Sequence, residues 1–128
     1  MNFLLDTHSF LWFVTNDRRL SSKAKSLIKD KENQVYFSAV SAWEISIKVG
    51  LGRLSVEGDL HSFLLQQLTE NSFLPLSINI SHSLNTINLP DVHKDPFDRM
   101  LISQSKIEEI PLISKDKNIR KYDVEVVW

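Results

Sequence analysis

The sequence predicts an α/β fold, with a central, mainly parallel sheet of four to five strands covered by helices on both faces. Short apolar runs of four to six residues alternate with longer helix-forming stretches, and such alternation calls for right-handed crossovers between parallel strands. The chain has 128 residues with 42% apolar positions, enough for one real core. No internal repeat, low-complexity tract or linker divides it, so a single domain over residues 1–128 is expected.

Phe3-Leu4-Leu5 reads as a buried first strand that meets Asp6, and a helix rich in large apolar residues follows from Ser9 to Thr15. Ser21-Ser22-Lys23 opens a second helix with a hydroxyl cap. Gln34 to Ser38 is the second strand, and Ser41-Ala42-Trp43-Glu44 has the Ser-x-x-Glu pattern of a capping box. That helix should stop near Gly50 or Gly52, where glycine takes the left-handed conformation. Leu60, Phe63, Leu64 and Leu68 recur at helical spacing across residues 59–70. Phe73 to Ile78 and Pro111 to Ser114 are further strands, separated by a short helix at Ser81–Thr86 and a longer one at Pro96–Glu109. Val124 to Trp128 closes the sheet.

Composition excludes several classes. With no cysteine there is no disulfide scaffold, thiolate metal site or Cys nucleophile. The longest apolar runs, such as Phe10 to Val14, fall far short of the roughly 18 residues of a membrane span. No basic leader precedes an apolar region, so a cytoplasmic location is expected. Net charge is −1, too little to coat nucleic acid by bulk electrostatics. The charge is polarised, however: residues 1–53 carry +3, residues 54–90 carry −3 and residues 91–128 carry −1.

Four acids stand out. Asp6 follows the first strand, Glu44 lies in the first turns of the helix after the second, Asp98 sits in Asp95-Pro96-Phe97-Asp98, and Asp116 follows the strand Leu112-Ile113-Ser114. Singly, each has a structural role open to it. Asp6 and Asp95 suit N-caps, Glu44 suits a capping box or an i,i+4 pair with Lys48, Asp98 suits the helix dipole, and Asp116 suits a cap for residues 117–122. Together they share the carboxyl edge of the sheet, where open α/β sheets place their sites. Two carboxylates about 4 Å apart repel by about 4 kcal/mol at an effective dielectric of 20. A divalent cation relieves that cost, and hard oxygen donors without cysteine favour Mg²⁺ or Mn²⁺ over Zn²⁺. The four histidines, His8, His61, His82 and His93, are scattered and read as surface or loop residues rather than ligands.

The motifs Asp6-Thr7-His8, Ser38-x-x-Ser41-x-Trp43-Glu44-Ile45-x-Ile47-Lys48, His93-x-Asp95-Pro96-Phe97-Asp98-Arg99 and Ser114-x-Asp116 run in order along the whole chain. In these the sequence resembles the PIN-domain ribonucleases of the VapC toxin type. The resemblance implies a PIN-like three-layer sandwich and a Mg²⁺- or Mn²⁺-dependent endoribonuclease. It also implies a homodimer and a cognate antitoxin that holds the enzyme inactive. The family's acidic quartet falls on Asp6, Glu44, Asp98 and Asp116, as metal-binding and catalytic residues. Thr7 and Ser114 take the accompanying hydroxyl positions, with Ser114 where many members have Thr. Asp95 is then a helix cap, and Arg99 a phosphate or structural contact.

Phosphates would be met by local cations, namely Lys48, Arg53, Arg99, Lys115, Lys117, Arg120 and Lys121. Trp43 is read as a core or interface residue more readily than as a base-stacking one. Leu11, Trp12 and Phe13 are open to an antitoxin groove, to burial in the core or to a homodimer contact. A phosphoaspartate enzyme is disfavoured because His8 stands where a second acid is needed, and a receiver domain because Asn2-Phe3-Leu4 offers no acidic pair. The rival that stays open is a catalytically silent interaction module of the same fold.

Overall fold

Five strands, β1 (Asn2–Leu5), β2 (Gln34–Ser38), β3 (Leu74–Leu76), β4 (Leu112–Ile113) and β5 (Val126–Val127), form one sheet in the order β3-β2-β1-β4-β5. All four pairings are parallel, as the strand–helix alternation requires. The computed structural model describes residues 1–128. Six helices make the connections: α1 (Thr7–Val14), α2 (Ser22–Lys29), α3 (Ala39–Gly50), α4 (Leu60–Glu70), α5 (Ile80–Asn85) and α6 (Pro96–Glu108). None is long and apolar enough to cross a membrane.

Side chains alternate across β1, and the alternation divides the interior into two layers. Phe3 and Leu5 pack with Phe10, Ala24, Ile28 and Ile45 on one face, while Leu4 packs with Val40, Leu101, Ile102 and Ile119 on the other. Leu4 and Leu5 are fully buried. Leu11, Trp12 and Phe13 lie half-buried against the first of these layers.

Several local expectations shift. Helix α3 starts at Ala39, because Ser38 is its N-cap and its Oγ accepts from the Val40 N–H at 3.0 Å. Glu44 is therefore inside the helix and not the acid of a capping box at Ser41, whose Oγ instead accepts from Thr7 Oγ1 at 2.9 Å. The capping box lies at α5, where Asn79 and His82 serve each other's backbone N–H. Gly52 ends the α3 turn with φ +72°, as expected. Strand β3 is only three residues long, and its Pro75 is tolerated because the strand is at the sheet edge.

Candidate metal centre

In the order β3-β2-β1-β4-β5 the chain leaves β1 toward one edge and returns to its other side as β4, so the crevice beyond β1 and β4 is the topological switch point. Asp6 and Asp116 follow these two strands. Asp6 is the N-cap of α1, and its Oδ1 accepts from the Ser9 N–H at 2.8 Å. Burial pushes its carboxyl above the ordinary range, against the opposing effect of hydrogen bonds from Ser114 and Ser9. Asp116 donates its N–H to Ser114 Oγ at 3.1 Å and accepts from the Asn118 N–H at 2.8 Å. That is an Asx turn, not the expected cap of a following helix. The short 3₁₀ turn Ile119–Lys121 has no side-chain cap.

Asp98 sits at N3 of α6, after Asp95 as N-cap and Pro96 at N1. Asp95 Oδ1 accepts from the N–H groups of Phe97 at 2.9 Å and Asp98 at 3.1 Å, so the end of the helix is satisfied without the Asp98 carboxylate. Burial, followed by the charges of Asp95, Asp6, Asp116 and Glu44, pushes the Asp98 carboxyl up to about 7. All three other members of the predicted quartet thus act on this one group. Glu44 is buried on α3, and its Oε2 lies 3.1 Å from Lys48 Nζ, the pairing offered by their i,i+4 spacing.

His93, read as a surface or loop residue rather than a ligand, does lie in a loop, but its ring projects into the cluster. Its Nε2 is 3.5 Å from Asp98 Oδ2. One ligand atom each from His93, Asp98 and Asp116 fall within 4.8 Å of one another. Its Nε2 is hidden from solvent and has no hydrogen-bond partner. Crowded carboxylates and an orphaned imidazole nitrogen are a donor set that fits a divalent cation. His82 also departs from expectation: it is 1% exposed and its Nε2 pairs with Glu108 Oε2 at 2.8 Å.

Asp6 and Asp116 line a cleft of about 380 Å³ together with His8, Trp12, Arg19 and Lys115. Of these, Lys115 was expected. Arg19 has no signal in its own loop beyond Asp17, which it meets at 2.7 Å; only the return of the chain beside β4 puts it near the acids. A larger hollow lined by Phe13, Ile28, Asp30, Lys31 and Glu70 contains none of the four acids. Arg99 has the structural engagement that is one of its two readings. It donates to the carbonyls of Thr86 at 3.0 Å, Leu89 at 3.3 Å, Pro90 at 2.9 Å and His93 at 3.4 Å, and to Tyr122 Oη at 3.1 Å. Trp43 is 59% exposed, resting edge-on against Phe97, so it is not a core residue.

Comparison with known proteins agrees with this architecture. The chain is 29% identical to Ribonuclease VapC16 of Mycobacterium tuberculosis over 62 residues, 48% of this chain and 44% of that protein, so the match spans less than half of the relative. Among solved structures it superposes on a chain of VapBC2 from Rickettsia felis, bound to a promoter DNA fragment, with TM-score 0.74. That likeness covers 100% of this chain and 99% of the other at 14% identity, and so concerns the fold. FitAcB from Neisseria gonorrhoeae gives TM-score 0.62 at 18% identity, covering 98% and 96% of the two chains. The PIN domain family matches residues 3–125. With that match running from β1 almost to β5, and with the same fold in these relatives, the chain belongs to the PIN domain family.

Proposed function

We propose that this chain is a Mg²⁺- or Mn²⁺-dependent endoribonuclease, the toxin of a toxin–antitoxin pair, acting in the cytoplasm. The observation that carries the reading is the Asp98 carboxylate. It caps nothing and pairs with no lysine or arginine, yet it is half-enclosed among Asp6, Glu44, Asp95 and Asp116. A silent interaction module has caps or turns for Asp6, Asp95 and Asp116, but for this side chain only a helix-dipole gain of about 0.3–1 kcal/mol, too small to offset crowding among the other carboxylates.

Asp6, Asp98 and Asp116 would hold the cation, and Glu44 would orient the attacking water and accept its proton, with Lys48 steadying the carboxylate at 3.1 Å. Bound Mg²⁺ or Mn²⁺ supplies a more acidic water and charge neutralisation at the phosphoryl oxygens. Thr7 and Ser114 position the acids: Thr7 ties α1 to Ser41, and Ser114 receives the Asp116 N–H. Arg19 and Lys115 in the cleft suit phosphates of a single-stranded or looped RNA, whose backbone and splayed bases are accessible. Hydrolysis with departure of the 3′ oxygen leaves 5′-phosphate and 3′-hydroxyl ends. The exposed stripe Ile80, Leu84 and Ile87 supports self-association, and the antitoxin proposal rests on the VapC likeness.

The test is to sequence the 5′ ends released from total RNA by wild type and by Asp98→Asn. Wild type should yield discrete 5′-phosphate ends, while Asp98→Asn should lose cleavage by a factor of at least about 10³ with its circular dichroism unchanged. Cyclic-phosphate products, or full activity in excess EDTA, would refute the assignment. Antitoxin-free wild type that leaves RNA intact with Mn²⁺ would establish the silent module instead.

A further inference from the structure

We propose that His93 is a nitrogen ligand of the cation at this centre, joining Asp98 and Asp116, and that it favours Mn²⁺ over Mg²⁺. The proposal rests on the metal-dependent reading above and adds to its all-carboxylate donor set. His93 comes from the irregular segment before α6, five residues ahead of Asp98, and its ring is held on the side away from the acids. Tyr122 Oη lies 3.1 Å from Nδ1, and that hydroxyl is itself fixed by Arg99 Nη1 at 3.1 Å and by the His93 N–H at 3.3 Å.

This support leaves Nε2 facing Asp98 and Asp116 with no partner. The distance to Asp98 Oδ2, 3.5 Å, is too long for a good N–H···O bond. A buried nitrogen left without a partner is costly in either tautomer. Coordination resolves it. For the Nε2 lone pair to meet the ion, the proton must sit on Nδ1 and be donated to Tyr122 Oη, which keeps Arg99 Nη1 as its other donor and gives up the long 3.3 Å contact from the His93 N–H. Mg²⁺ takes oxygen donors almost exclusively, whereas imidazole binds the first-row transition ions. Tyr122 and Arg99 act as positioning residues, since neither reaches the acids in this arrangement.

The experiment is electron spin-echo spectroscopy of wild-type protein loaded with Mn²⁺ alone, with Kd for Mn²⁺ and for Mg²⁺ measured alongside. Wild type should show nitrogen modulation from a directly bound imidazole. His93→Gln should lose it and bind Mn²⁺ at least about tenfold more weakly, with a smaller change for Mg²⁺. His8→Gln, beside the cleft, should keep the signal. Mn²⁺ uptake by wild type without nitrogen modulation would overturn the ligand assignment and leave the metal centre standing. The assignment also falls if His8→Gln, rather than His93→Gln, removes the signal. No Mn²⁺ uptake at all would overturn both readings.

Discussion

Asp98 carries, with the buried Asp6, the energetic cost of crowding acids at this site. The Asp98 value of about 7 in the folded chain compares with about 3.9 in an unfolded one, so between those limits the folded state holds a proton that the unfolded state has released. Its contribution to stability is present below about pH 4 and is lost as pH rises to about 7. Thermal melting without metal should therefore show Tm falling across that window, more steeply in wild type than in Asp98→Asn; equal slopes would place the cost on other groups. Because a cation competes with this proton, Mn²⁺ should raise Tm more at pH 8 than at pH 6. At a hundredfold excess over Kd the gain is about 2.7 kcal/mol, or about 10 °C for a domain of this size. At this scale the sequence was legible where a residue type has one use in one place. Asp95-Pro96 announces a helix start, and the four acids share the carboxyl side of the sheet. Histidine carries no such restriction: His82 is buried by a capping box and Glu108, and His93 is turned inward by Tyr122, 29 residues away.

Helix α6 shows how a single element separates structural from chemical carboxylates. Asp95 bonds the first-turn N–H groups, and three residues later Asp98 is free of them. Asp95→Ala should cost about 1 kcal/mol through the lost cap, while Asp95→Asn should cost only a few tenths. Both remove a charge that holds the Asp98 carboxyl up. Urea denaturation gives the first quantity, and NMR titration of the Asp98 carboxyl carbon should give a value below that of wild type in Asp95→Asn. An unmoved titration would mean that the Asp95 charge does not help to set it. The start of α3 was misplaced from sequence for a reason visible in its caps. Ser38 and Ser41 both suit an N-cap, and the choice fell to Ser38 because Ser41 is engaged by Thr7, 34 residues earlier in the chain. Strand ends were overextended at β3 and β5, where Phe73, Ile78, Val124 and Trp128 pack against the core outside the ladder, and at β4, which is only two residues long.

Taken whole, the fold brings cations to an acidic site that the net charge of −1 conceals. Arg19 enters the cleft from the first half of the chain and Lys115 from the second. RNA binding, measured in the cleavage-dead Asp98→Asn background, should weaken with salt. Replacing both Arg19 and Lys115 by Ala should reduce the slope of log K against log salt by about 1.4, at about 0.7 per phosphate contact on a single strand. An unchanged slope would place the RNA elsewhere. The strand order was legible only as a class, because alternating strands and helices state parallelism but not which strand returns beside β1. That return makes β4 a neighbour of the short β5 through Leu112 N–H to Glu125 O at 2.9 Å and Ser114 N–H to Val127 O at 3.2 Å. Asp116 hangs two residues beyond this small ladder. Opening of β5 therefore loosens the segment that carries Asp116, and a bound ion should hold the ladder shut, slowing hydrogen–deuterium exchange at Leu112 and Ser114 although neither amide touches it.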